Sequence, residues 1–156
     1  MVFEDFVRNF FRSEQTEFSV RSEIIKWHVT AAEPHSISYL PEMVTDISLR
    51  SPSRTIIIDT KYYRQTLSSN WGSEKIRSAH LYQLFAYLKN LEPRGGTDAS
   101  AAGVLLYPTV GQNLDLHYVL GGHHVRIKTL DLNVHWKRIH AELLGIIGDA
   151  EFVIGA

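Results

Sequence analysis

Two strand-like runs flank a short turn in the stretch MVTDISLR-SPSR-TIIIDTK, residues 43–61. Polar and apolar positions alternate from Met43 to Arg50, which is typical of a strand with one face buried. The run from Thr55 to Thr60 is rich in β-branched residues and is typical of an internal strand. Because Pro52 and Ser53 are turn formers, we predict an antiparallel hairpin centred on these two residues.

This alignment fixes which side chains face one another. If Pro52 and Ser53 form the centre of the turn, Asp46 lies opposite Asp59. Since side chains alternate along a strand, Lys61 lies on the same face as Asp59, opposite Val44. The other face is apolar and is expected to pack on helices; it carries Ile47, Leu49, Ile56 and Ile58.

Two facing carboxylates destabilise a hairpin unless a cation compensates their charge. Mg²⁺ prefers oxygen ligands and is commonly held by one or two carboxylates together with water and substrate phosphate. The Asp46, Asp59 and Lys61 cluster therefore predicts a Mg²⁺ site, with Mn²⁺ as a possible substitute, at which Lys61 orients water or offsets charge on a phosphate. The alternative is a solvated strand edge, which an isolated Asp-x-Lys more often marks.

The rest of the chain predicts a mixed α/β domain, with a central sheet flanked by helices in the order α-β-β-β-α-β. We expect one domain over residues 1–156. Periodicity predicts helices at residues 1–12, 74–90 and 133–147, the last capped by Asn133 or Asp131. Strands are predicted at residues 23–30, 43–50, 55–60, 102–107, 114–120 and 125–130, with a hairpin turn at Gly121-Gly122.

Composition limits the functional classes. The 156 residues include no cysteine, which excludes disulfides, thiolate zinc sites and cysteine nucleophiles. No apolar run reaches the length of a membrane span, so we expect a cytoplasmic protein that does not associate with membranes. The net charge of −1 predicts that any contact with nucleic acid uses a local patch or a partner.

Candidates for such a patch are few. Three basic residues near the proposed site could contact phosphate or simply form a solvated face; they are Arg64, Lys75 and Arg77. The three tryptophans are expected to anchor core or loops and not to stack on bases; they are Trp27, Trp71 and Trp136.

Several segments together resemble the PD-(D/E)XK nuclease superfamily and, within it, the McrC family of nuclease subunits from McrBC methylcytosine-dependent restriction systems. The segments that carry the resemblance are FEDFV at 3–7, LPEMVTDI at 40–47, IIIDTKYY at 56–63, LYQLFAYL at 81–88 and GVLLYP at 103–108. The resemblance implies a restriction endonuclease-like core and a Mg²⁺-dependent endodeoxyribonuclease. It implies DNA and an AAA+ GTPase of the McrB type as partners, with a homodimer possible.

The resemblance also implies roles for individual residues. Asp46 and Asp59 correspond to the metal-binding acids, with Thr60 and Glu4 completing the metal site, and Lys61 corresponds to the catalytic lysine. Gln83 and Tyr87 match the Q-x-x-x-Y motif of RecB-like nucleases and are expected to line the site or contact DNA. Alternatively, Glu4 merely pairs with Arg8 at i+4, and Gln83 and Tyr87 form a polar pair that orders their helix.

Two other functions remain open at this point. One is a RecB-like repair or defence nuclease that works without a GTPase. The other is a non-catalytic scaffold that keeps the nuclease fold only to bind DNA or a protein.

Overall fold

Helices enclose a mixed sheet in the computed structural model of the chain, which describes residues 2–61, 68–70, 73–109 and 113–148. The α-helices in these ranges are α1 (Val2–Glu14), α2 (Ser78–Leu91) and α3 (Trp136–Gly148). The strands are β1 (Ser19–Arg21), β2 (Ile24–Ile25), β3 (Met43–Val44), β4 (Ile47–Arg50), β5 (Thr55–Thr60), β6 (Ser68–Asn70), β7 (Ser73–Lys75), β8 (Ala102–Thr109), β9 (Asp115–Leu120) and β10 (His123–Asp131). In the part of the chain that is described, no helix has the length and apolar character needed to cross a bilayer.

Six strands form the central sheet, in the order β1-β4-β5-β8-β10-β9. Strands β5, β8 and β10 are parallel to one another, whereas β1, β4 and β9 join by antiparallel pairing. The prediction of an α/β fold with a mixed central sheet is therefore confirmed. Because β5, β8 and β10 run in the same direction, their C-terminal ends lie on the same side of the sheet. The last residues of these strands are Thr60, Thr109 and Asp131.

The sheet separates two apolar cores. On one face, Ile47, Leu49, Ile56 and Ile58 pack against α1 and α3, as the hairpin alignment predicted. On the other face, Ile57, Leu105 and Tyr107 pack beneath α2. Alternate residues of β5 enter opposite cores, so both faces of this strand are buried.

The predicted strand at residues 23–30 is wrong, because only Ile24 and Ile25 pair, with Val44 and Met43 of β3. Beyond Ile25 the chain leaves the ladder; the indole Nε1 of Trp27 donates to the Pro41 carbonyl at 2.7 Å.

The predicted strand at residues 43–50 is interrupted at Thr45 and Asp46, because Thr45 forms its hydrogen bonds outside the central sheet's strand pairing. Buried Thr45 donates its backbone N–H to the Glu23 carbonyl, and its side chain bonds to the hydroxyl of Ser48.

Both later helices begin after their predicted starts. Residues 73–75 form strand β7, which pairs with β6, so α2 begins only at Ser78. Helix α3 begins at Trp136, and neither Asn133 nor Asp131 caps it; the ring Nδ1 of His135 instead accepts the Lys137 N–H at 3.2 Å. The Asp131 carboxylate accepts the Asn133 N–H and so stabilises the loop before the helix.

The Gly121-Gly122 turn joins β9 and β10 as predicted. Both glycines have positive φ, 56° and 86°, which a two-residue hairpin of the type I′ class requires. A Cβ at position 121 would also lie 2.6 Å from the Phe85 ring of α2. Gly121 is thus required both for backbone conformation and for the approach of the helix.

A buried charge network ties β4 to the loops around it. Arg50 donates to the Glu23 carboxylate at 2.8 Å and to Asp98 Oδ1 at 2.6 Å, and Thr55 also donates to that oxygen. Burial lowers the pKa of Arg50, but the hydrogen bonds to Glu23 and Asp98 outweigh burial and raise it.

Replacing Arg50 by Ala is expected to lower the free energy of unfolding by about 3 kcal/mol, since two largely buried carboxylates lose their principal cation. Urea unfolding followed by circular dichroism measures this loss. Arg21→Ala is the matched control, because Arg21 is exposed and approaches Glu23 only at 3.8 Å. Equal losses in the two variants would show that the network adds nothing beyond a surface ion pair.

Candidate active site

The β4–β5 hairpin has the predicted register. Ile47 pairs with Ile58 and Arg50 pairs with Thr55, as a turn centred on residues 52 and 53 requires. Pairing stops at Ile47, so Asp46 lies just before the ladder, where the chain bends. Val44 does not lie opposite Lys61, as the alignment had predicted, because β3 pairs with β2 instead.

Asp46 is held against the end of β5. Its Oδ2 accepts hydrogen bonds from the backbone N–H of Thr60 at 2.8 Å and from the Thr60 hydroxyl at 2.9 Å. Its backbone carbonyl accepts from the guanidinium of Arg8, at 3.1 Å from the closer nitrogen. Two donors of Thr60 therefore fix the carboxylate of Asp46 beside Asp59, and Arg8 fixes its backbone.

Asp59 carries the most perturbed carboxylate of the cluster. It is only 2% exposed, and its Oδ2 lies 2.8 Å from Lys61 Nζ. Despite this short contact, Oδ2 has no hydrogen-bond partner of suitable geometry in the described residues. Burial raises the pKa of Asp59 to about 7; the Lys61 ammonium opposes this shift and the Asp46 carboxylate adds to it.

Lys61 is oriented by a chain of hydrogen bonds from α2. Its Nζ donates to Gln83 Oε1 at 2.6 Å, Gln83 Nε2 donates to the Tyr87 hydroxyl at 2.8 Å, and that hydroxyl donates to the Val44 carbonyl at 3.2 Å. The Lys61 ammonium can only donate, and the Tyr87 hydroxyl uses its proton on Val44. The Gln83 amide must therefore direct its oxygen to Lys61 and its nitrogen to Tyr87. Burial raises the pKa of Tyr87 to about 12, so it stays a donor.

Glu4 interacts with both of its predicted neighbours. Its Oε1 accepts from Arg8 at 2.8 Å, and burial followed by the nearby Asp46 charge raises its pKa. The structure thus combines the ion pair with Arg8 and proximity to the acidic cluster. The pairing with Arg8 at i+4 was one of the two predicted alternatives, whereas the bond from Arg8 to the Asp46 carbonyl was not predicted.

His80 and Tyr107 extend the cluster beneath Lys61 and Asp59. The two are joined by a 3.0 Å contact between His80 Nδ1 and the Tyr107 hydroxyl. Burial, and then the charges of Lys61 and Arg77, lower the pKa of His80 to about 4, so the ring is neutral near pH 7. Both His80 and Tyr87 are buried on α2 together with Leu84.

A signal for Tyr107 existed in the strand pattern. Asp59 pairs in parallel with Leu105, and Tyr107 follows two residues later on the same face of the sheet. Of the predicted phosphate contacts, Arg64 lies outside the described residues, as does the side chain of Lys75, and Arg77 is exposed just before α2.

The chemistry of the cluster fits a divalent cation. Asp59 Oδ2 is a buried carboxylate oxygen whose contact with the Lys61 ammonium lacks hydrogen-bond geometry, and a second carboxylate lies beside it. Across the described ranges, no three His, Cys, Asp or Glu side chains form a complete metal-binding group. A Mg²⁺ ion held by one or two carboxylates takes its other ligands from water and substrate, which suits this pair. Glu4 and Thr60 stay predicted ligands.

Comparison with known proteins identifies the family. Residues 1–108 match the family described as McrBC 5-methylcytosine restriction system component. The chain belongs to this family. It is 34% identical over 149 residues to the type IV methyl-directed restriction enzyme EcoKMcrBC of Escherichia coli K12. The aligned region covers 96% of this chain but only 42% of that relative. The expected likeness to McrC is thereby confirmed, and the McrC-like chain carries its acid, acid and lysine set within the matched region.

Proposed function

We propose that this McrC-like chain is a Mg²⁺-dependent endodeoxyribonuclease of the PD-(D/E)XK type and the cleavage subunit of a McrBC-type, modification-dependent restriction system. The observation that carries the proposal is the buried Asp59 carboxylate, which lies between a second carboxylate and an ammonium group. A structural ion pair needs one acid and one base. An additional buried acid is costly unless a cation offsets it.

The residues divide the work as follows. Asp46 and Asp59 would hold Mg²⁺, with Thr60 and Glu4 as further candidates. When bound, Mg²⁺ would polarise the scissile phosphate and lower the pKa of water that attacks it. Lys61 directs its ammonium group toward the same position and offsets negative charge that builds on the phosphate.

The hydrogen-bond chain of Gln83 and Tyr87 restricts the ammonium of Lys61 to one direction. Because Tyr87 is anchored to the carbonyl of Val44, two residues before Asp46, this chain also couples α2 to the acidic side of the site. Positioning of this kind reduces the reorganisation needed when substrate binds.

The wider assignment follows the family. A restriction endonuclease-like core in a single domain, a cytoplasmic location, DNA as substrate and an AAA+ GTPase of the McrB type as partner are all part of the proposal. Two copies of the chain would be needed to cut both strands at once. The RecB-like alternative, which dispenses with the GTPase, is favoured by one specific observation, the Gln83–Tyr87 bond on α2.

Plasmid nicking tests the proposal. Supercoiled DNA is incubated with the chain and Mg²⁺ or Mn²⁺, with and without a McrB-type GTPase and GTP, and with EDTA as control. We expect metal-dependent nicking in at least one arm. Nicking by the chain alone favours the RecB-like alternative, and nicking only with the GTPase favours the restriction system. If the chain neither nicks DNA in any arm nor binds Mn²⁺, it is a scaffold.

Replacing Tyr87 by Phe is expected to slow nicking about tenfold, because Gln83 loses the acceptor that fixes its amide and Lys61 becomes less ordered. Loss of the hydroxyl should also cost about 1 kcal/mol of stability. Tyr82→Phe on the same helix is the matched control, since Tyr82 is largely exposed. If both variants nick DNA at the wild-type rate, the chain of hydrogen bonds has no role in orienting the lysine.

A further inference from the structure

An apolar groove lies beside the candidate active site. It is formed by β2, the following loop and the residues before β3, and it encloses about 590 Å³. A hydrogen bond of 2.7 Å from the His28 N–H to Asn90 Oδ1 fixes one wall to α2. The groove is lined mainly by Ile24, Trp27, Val29, Ile37, Leu40 and Glu42.

Exposed apolar side chains are concentrated in this region. Tyr39 is 85% exposed, and Trp27 is 36% exposed although its indole anchors the loop at Pro41, as predicted. Contiguous apolar surface of this kind usually marks a binding site. The large hydrophobic residues exposed between residues 24 and 44 are Ile24, Trp27, Val29, Ile37, Tyr39, Leu40 and Val44.

The groove is joined to the candidate site through β3, because Ile24 of its lining pairs with Val44, whose carbonyl accepts the hydrogen bond from Tyr87. Glu42 at its rim is four residues from Asp46, a span of at most ~14 Å for an extended chain. A DNA strand advances ~3.4 Å per nucleotide, so Glu42 lies within about four nucleotides of a phosphate held at Asp46. A strand held at the acidic cluster is therefore long enough to reach this rim of the groove.

The lining is suited to bases and not to the phosphate backbone. Its walls are apolar, and its charged groups include Lys26 and Glu42, which nearly cancel. In a duplex the base faces are covered by their neighbours, so an apolar groove can contact only a base that has left the stack. The Trp27 indole, fixed by its bond to the Pro41 carbonyl, offers an aromatic surface for such a base.

We propose that this groove binds an unpaired nucleobase of the DNA strand next to the cleavage position. The proposal rests on the nuclease function and adds a substrate preference to it, namely DNA with an unstacked base near the cut. In this proposal Glu42 of the lining accepts a hydrogen bond from an exocyclic amino group, and Lys26 contacts the adjoining phosphate.

Binding of oligonucleotides in EDTA tests this without any cleavage. The full chain is titrated with a labelled duplex that carries a short unpaired stretch, and with probes in which single positions of that stretch are abasic. We expect Trp27→Ala to weaken binding about tenfold and Trp27→Phe to restore most of it. One or two abasic positions should weaken wild-type binding while leaving Trp27→Ala unaffected, because base and ring act as a pair.

Trp136→Ala is the matched control, since Trp136 is 63% exposed on α3, away from the groove. Ile37→Ser and Val29→Ser are further variants that alter exposed positions of the groove, in case Trp27→Ala fails to fold. The proposal would be overturned if no abasic position weakened DNA binding and if Trp27→Ala and Trp136→Ala bound DNA with the same affinity. If plasmid nicking persists in that case, the nuclease function stands and the groove serves another occupant, such as a protein segment.

Discussion

Lys61→Met is expected to slow metal-dependent plasmid nicking by a hundredfold to a thousandfold, which is the usual effect of removing one preorganised charge from a reacting phosphate or oxyanion. Methionine keeps most of the length and the apolar character of the lysine stem, so packing under α2 should survive. Circular dichroism should show an unchanged fold. The rate of conversion from supercoiled to open-circular DNA measures the loss.

Lys89→Met provides the matched control, because Lys89 lies on α2 outside the cluster, is partly exposed and pairs with Glu92 at 2.6 Å. It should nick DNA at the wild-type rate. Asp59→Asn should reproduce the defect of Lys61→Met. Full activity in both site variants would remove the cluster from the reaction and return it to the status of a structural ion pair.

The affinity for metal ions should depend steeply on pH below neutrality. A carboxylate must lose its proton to bind a cation, and the pKa of Asp59 is raised to about 7 by burial, with a further contribution from Asp46. Below this pH, the Mn²⁺ affinity should fall about tenfold per pH unit, and above it the affinity should level off. Calorimetry in buffers of different ionisation enthalpy measures the released proton directly.

The raised pKa of Asp59 also determines how the free energy of unfolding of the metal-free protein changes with pH. Because the folded-state pKa lies above the unfolded value, the protonated Asp59 stabilises the metal-free protein fully at about pH 4. This stabilisation is lost as the pH rises through 7, up to ~4 kcal/mol in all. Asp59→Asn should escape the loss, so its Tm should fall less than that of the wild type between pH 5 and pH 8. Parallel Tm curves, together with pH-independent Mn²⁺ affinity, would show that Asp59 is ionised throughout this range.

The hairpin could be predicted from sequence because several local signals agree. The Pro52-Ser53 turn sets the alignment, and the alternation of Ile47 and Leu49 with polar residues sets the buried face. A shift of one residue would have placed Asp59 in the core with α1, so the alignment had no close competitor. The placement of Asp46 beside Asp59 followed from this, even though the ladder ends one residue earlier.

Other elements depended on contacts that sequence does not reveal. Ile24 to Val29 has strong strand propensity, but a strand needs a partner, and only Met43 and Val44 are available to pair. The start of α2 was predicted too early because the apolar periodicity begins at Ile76, whereas residues 73–75 pair with β6. The neutral His80–Tyr107 pair depends on the burial of two residues that are 27 positions apart.

The tight Ser51–Arg54 turn has a consequence for variation in length. The Ser51 N–H bonds to the Arg54 carbonyl, so the turn looks like an exposed position that tolerates insertions. One added residue taken up by the strand would nevertheless exchange the two sides of β5, sending a carboxylate toward the phenylalanines of α1 and an isoleucine toward α2. Lengthening by two residues would preserve the alternation. Among natural or engineered variants, this loop should therefore change in even steps.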